Sequence, residues 1–145
     1  MSAACAFFGH RDCPQSVFVR LKEEIRKMIT ENQVECFYVG NHGAFDRYAR
    51  CALRELQKEY SAIRWYVVLA YLPKASGKDT AYENSIYPEG IESVPLRYAI
   101  NYRNRWMLEH SDHVITYVNR SFGGAARFAA QAEKKGKSCV KLVAE

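Results

Sequence analysis

Two glycine-bearing segments each follow an apolar run and open onto a helical pattern. Gly40-Asn41-His42-Gly43-Ala44-Phe45-Asp46 follows Cys36-Phe37-Tyr38-Val39, and Ser121-Phe122-Gly123-Gly124-Ala125-Ala126 follows His113 to Val118. A strand that turns through glycine into a helix presents free backbone N–H groups at the positive end of the helix dipole. Phosphate is a natural ligand for such a turn. Gly9, Gly40, Gly43, Gly123 and Gly124 are the glycines that let backbone approach a ligand. Neither segment is a Walker A loop, and G-x-G-x-x-G is absent.

Charged and titratable residues cluster near the same segments. Arg11 follows the first apolar run, where a guanidinium can fork onto a phosphate or pair with Asp12 or Asp46. His10 and His42 are candidates for ligand contact or proton transfer. Asp46 stands in the first turn of a helix, suited either to the dipole or to a ribose hydroxyl. Glu89 and Glu92 lie in an irregular loop and are the candidate catalytic carboxylates, as base or nucleophile on a sugar carbon. Arg103 and Arg105 cannot share a helix face, so at most one of them reaches the ligand. Tyr98, Tyr102 and Trp106 recur every four residues and stack on one face. No metal site is expected, because His10, His42 and a distant Asp have no local ligand spacing.

The elements that position these residues follow from periodicity. Ala3 to Phe8, Glu35 to Val39, Ile63 to Leu72, His113 to Val118 and Ser138 to Val143 read as five strands. Helices are predicted after Ser16, over Ala44 to Tyr60, from Pro95 to about Glu109, and from Gly123 or Gly124 to Lys135. Residues 73–94 form a long irregular segment, the kind that is usually functional. The order β-α-β-α-β-loop-α-β-α-β predicts a Rossmann-like three-layer α/β/α sandwich with a mostly parallel five-stranded sheet. In such a sheet, ligands sit outside the carboxyl ends of the strands. The segments after strands one to four all fall on that edge.

Composition agrees with one domain over residues 1–145. Hydrophobic residues are 48% and charged residues 26%, enough for a core and a polar surface. The net charge of +5 is compatible with an anionic ligand. The densest basic run, Lys134 to Lys137, falls at a helix end, where cations complement the dipole. Five cysteines without C-x-x-C spacing, no signal-peptide layout and no membrane-length apolar run predict a cytoplasmic protein.

Phe8-Gly9-His10-Arg11, the glycine turn ending at Asp46, Arg103-Asn104-Arg105-Trp106-Met107 and the Gly123-Gly124 turn occur in an order that resembles the SLOG superfamily. That Rossmann-like group includes Lonely Guy phosphoribohydrolases, the DNA-processing protein A fold and YpsA-like proteins. The chain looks most like the YpsA-like branch over nearly its whole length. The resemblance implies a nucleotide site at the carboxyl edge, and a homo-oligomer. Ala126 replaces a glycine of the Lonely Guy phosphate turn, and Ala130 stands where that family carries its catalytic Glu. The leading expectation is therefore binding or sensing of a small nucleotide-derived ligand, with no required cofactor. The first alternative is an enzyme acting on an N-glycosidic bond through Glu89 or Glu92. The second is single-stranded DNA binding, although nucleic acid is not the expected partner at this modest charge.

Overall fold

The structure is a computed structural model that describes residues 3–71 and 84–144. The first part of the expected irregular segment, residues 73–83, lies outside the described residues. The elements are β1 (Ala3–Gly9), α1 (Val17–Thr30), β2 (Val34–Val39), α2 (Gly43–Glu59), β3 (Arg64–Val68), β4 (Ser85–Ile86), α3 (Ala99–Glu109), β5 (His113–Tyr117), α4 (Gly124–Lys134) and β6 (Ser138–Leu142). Short 3-10 turns cover Ile91–Ser93 and Leu96–Tyr98. The predicted start at Pro95 is thus a 3-10 turn that leads into α3.

The sheet has six strands in the order β4-β3-β2-β1-β5-β6, and every pairing is parallel. Five strands were expected. The sixth, β4, is two residues long and sits inside the irregular segment, where it carries no alternation to read. The chain runs outward from β1 to β4, then returns to place β5 on the other side of β1. That reversal puts the topological switch point between β1 and β5.

Ala4 to Phe8 of β1 are buried, because helices cover both faces of the central strand. Cys5 and Phe7 face a core built with Leu21 and Ile25 of α1 and Phe45, Ala49 and Leu53 of α2. Ala6 and Phe8 face a smaller core with Met107 and Leu108 of α3 and Phe128 and Ala132 of α4. The Phe8 and Phe128 rings stack with centroids 5.6 Å apart. Helices α1 and α2 thus hold one face and α3 and α4 the other. The ends of β1 and β5 are fixed between them.

Candidate functional site

A cleft of about 320 Å³ opens over the switch point. It is lined by Gly9, His10 and Arg11 after β1, Gly40, His42 and Asp46 around the start of α2, Asn101, Arg103 and Asn104 from α3, and Arg120, Gly123 and Gly124 after β5. Nine predicted residues therefore converge: Gly9, His10, Arg11, Gly40, His42, Asp46, Arg103, Gly123 and Gly124. Gly43 does not line the cleft. Glu89 and Glu92 are exposed and also lie outside it. The Tyr102 hydroxyl donates to the Glu89 carbonyl at 2.7 Å, which ties that loop to α3. The enzyme alternative thereby loses its carboxylates from the site.

Packing explains three of the five glycines. A Cβ on Gly9 would collide with the Phe45 ring. A Cβ on Gly40 would sit 2.7 Å from both Arg103 Nη1 and Asp46 Oδ2, so this glycine lets the two charged groups close over it. Gly43 has φ +90° and lies against the backbone of Arg11. Around Gly123 and Gly124 nothing comes within 4 Å of a Cβ.

The two glycine turns consequently differ in what their amides do. At the start of α2, Ala44 N–H donates to the Arg11 carbonyl at 2.8 Å, and His42 N–H donates to Asp46 Oδ2 at 3.1 Å. That turn is closed by the protein itself. At the start of α4 the N-cap position is Gly123, which has no side chain to cap with. The first-turn amides of α4 thus keep the orphan donors of a helix N-terminus, on the wall of the cleft.

A buried charge cluster forms the floor. Arg103 is 3% exposed and donates through Nε to Asn104 Oδ1 at 2.8 Å and through Nη1 to the Val68 carbonyl at 3.1 Å. Its Nη2 is 3.5 Å from His42 Nδ1. Burial raises the Asp46 carboxyl above its ordinary value, opposed chiefly by Arg103 and the His42 amide. Asp46 accepts from the His42 amide and lies in the field of Arg103, but no ion pair joins the two side chains within 4 Å among the described residues. Burial first, then Arg103, Arg11 and Arg50, push His42 down to about 4.

The mouth is less committed. Arg11 is exposed and makes no ion pair among the described residues. Asp12 instead pairs with Arg120 at 3.2 Å. His10 is 3% exposed, and its Nε2 has no hydrogen-bond partner among the described residues. Burial, with help from Arg120, lowers its pKa, so the ring is neutral near pH 7. Phe122, 69% exposed, stands beside Gly123, with the Arg120 guanidinium 5.4 Å from its ring. Sequence reasoning missed Arg120, Asn101 and Asn104 as lining residues. Arg120 had one available signal: it follows β5 as Arg11 follows β1. Of the predicted tyrosine–tryptophan stripe, Trp106 packs on Tyr38 and His110, and Tyr102 is tied to Glu89.

Among the described residues, no group of three or more His, Cys, Asp or Glu is placed to hold a metal. No helix among them is long and apolar enough to cross a membrane. No protein-family model matches the chain, and no curated protein matches it. Among solved structures, DNA processing protein A from Streptococcus pneumoniae has a similar fold, with a TM-score of 0.70 at 20% identity. The match covers 97% of this chain and 50% of that protein, so the chain spans about half its length. This likeness corrects the leading expectation. The shared fold is that of a protein named for DNA processing, which runs against the leading expectation of sensing a free nucleotide derivative. The same likeness counts against the expectation that nucleic acid is not the partner.

Proposed function

We propose that the cleft binds single-stranded DNA through the strand's phosphates. The observation that carries the reading is a convergence of unused donors on one wall. The uncapped amides of α4, and the His10 Nε2 and Arg11 guanidinium that have no partner among the described residues, all belong to the same cleft. A phosphate on the α4 N-terminus satisfies the amides and gains from the helix dipole. Neutral His10 donates from Nε2 in one of its two tautomers. Arg11 supplies the counter-charge, beside the Arg120–Asp12 pair. Phe122 offers its exposed face to a base, and base–aromatic stacking on a single strand contributes about 1–3 kcal/mol per base. Buried Arg103 is bound to Asn104 and the Val68 carbonyl, so the role of the floor is to hold the walls in place. A cleft of about 320 Å³ admits roughly one nucleotide unit, with the rest of the strand outside.

The shared fold with a DNA-processing protein supports the same direction. The binding unit we propose is the single α/β domain. Kinship with the YpsA-like branch rests on motif order alone.

Fluorescence anisotropy of labelled oligothymidine, beside a duplex of equal length, tests the reading. Single strands are expected to bind more tightly, with log K falling linearly as log salt rises. Arg11→Gln should weaken binding and make that slope shallower by about 0.7, the value for one single-strand phosphate contact. Absence of single-strand binding at low salt would sink the proposal.

A further inference from the structure

One flank of α2 carries a row of basic residues. Arg47, Arg50, Arg54 and Lys58 recur at intervals of three and four, which keeps them on one side of the helix. Arg47, Arg54 and Lys58 are exposed. No salt bridge among the described residues involves any of these three. The other flank is the reverse. There Glu55 and Glu59 are taken by Lys22 and Arg26 of α1, each at 2.7 Å. Charge pairing therefore neutralises the α1 side of the helix and leaves the other side basic.

The stripe has a direction. Helix α2 begins at the cleft, and Arg50 there donates to the Gly40 carbonyl at 3.0 Å. From Arg47 to Lys58 is eleven residues, about 16 Å along the axis. The guanidinium of Arg47 lies 5.4 Å from the Tyr48 ring and that of Arg54 lies 6.0 Å from the Trp65 ring. These ring contacts restrict the side chains and leave their N–H forks for phosphate oxygens.

We infer that this flank of α2 is a second contact surface for the same strand. A single-stranded DNA whose one nucleotide sits in the cleft runs its backbone down the stripe of Arg47, Arg54 and Lys58. The inference rests on the cleft reading above. Spaced cations along a line fit a flexible polyanion. With one nucleotide unit in the cleft, a longer strand needs such a path outside it.

The test is the triple variant Arg47→Gln, Arg54→Gln, Lys58→Gln, titrated with a long oligothymidine and with a dinucleotide too short to run along the stripe. For the long strand, the slope of log K against log salt should become shallower by about 2, three times 0.7. Between roughly 50 and 200 mM salt, the long strand's affinity loss should then be about 20-fold smaller than in the unmodified protein. Dinucleotide binding and melting temperature should stay unchanged. An unaltered slope for the long strand overturns the inference, as does equal weakening of both lengths. If the unmodified protein binds neither length, the cleft reading itself has failed. If it binds both and only the variant's slope is unaltered, the cleft reading stands without the stripe.

Discussion

Arg103→Met probes the floor of the cleft. The substitution keeps an unbranched apolar stem but removes a buried guanidinium with two short hydrogen bonds, to Asn104 and to the Val68 carbonyl. It also leaves Asp46 as a buried carboxylate without its principal counter-charge. Each of those two hydrogen bonds has a charged donor and contributes about 1.5–3 kcal/mol, so the loss is about 3–5 kcal/mol in all. For a domain of this size that is a fall in Tm of about 10–15 °C. Asp46→Asn keeps an oxygen for the His42 amide and removes the stranded charge. The double variant should therefore recover about 1–3 kcal/mol relative to additivity. The pH dependence has a defined sign. A carboxyl whose folded-state pKa lies above the unfolded value makes the folded state bind more protons. Its contribution is present at low pH and lost as pH rises through the folded value. The deficit of Arg103→Met should accordingly be smallest near pH 4 and grow toward neutrality. Urea denaturation followed by circular dichroism at several pH values reads both quantities. A single-variant cost under about 1 kcal/mol, strict additivity, or a deficit that ignores pH would refute the assignment of Arg103 and Asp46 as a mutually dependent pair.

Three further outcomes are expected. Gly9→Ala forces a Cβ into the Phe45 ring and should cost about 1–3 kcal/mol in chemical denaturation. Gly124→Ala meets nothing within 4 Å at the first position of α4, so it should stabilise by about 0.5–1 kcal/mol; the same sign for both variants would contradict the division of the glycines into packed and open. His42, whose folded pKa is depressed to about 4, makes the folded state bind fewer protons than the unfolded chain, so stability is full above about pH 6.5 and declines toward pH 4. His42→Gln should remove about 1–2 kcal/mol of that acid-side decline, a figure reduced for partial solvent screening, and His10 should account for a remainder; identical pH–stability curves for the two proteins would show that His42 does not titrate in this way.

Much of the fold was legible because helical and strand periods alternate cleanly along the chain. Parallel strands buried on both faces, such as Ala4 to Phe8, announce themselves as unbroken apolar runs. The two-residue β4 is too short to show any period. Both glycine turns were also legible as strand-to-helix turns on one edge. Their difference was not, because it depends on a contact across the sheet edge. The Arg11 carbonyl closes the α2 turn, and no local pattern around Gly43 shows that. Glu89 and Glu92 were chosen for their chemistry and their loop. The Tyr102 hydroxyl bond that fixes Glu89 spans thirteen residues and has no sequence signature. Arg103 was recognised through its motif, but its burial beside Asp46 depends on the absence of a side chain at Gly40.

The central claim is that the open amides at the start of α4 receive a phosphate of single-stranded DNA. Gly124→Asp tests it directly. A carboxylate in the first turn of a helix favours the dipole, contributing about 0.3–1 kcal/mol, and a side chain has room at this position. The folded state should therefore be as stable as before or slightly more so. The same carboxylate occupies the phosphate position and repels it. Oligothymidine affinity, measured by anisotropy at low salt, should fall at least about tenfold, or 1.4 kcal/mol, with Tm unchanged or raised. Undiminished binding by a stably folded Gly124→Asp protein would contradict the account.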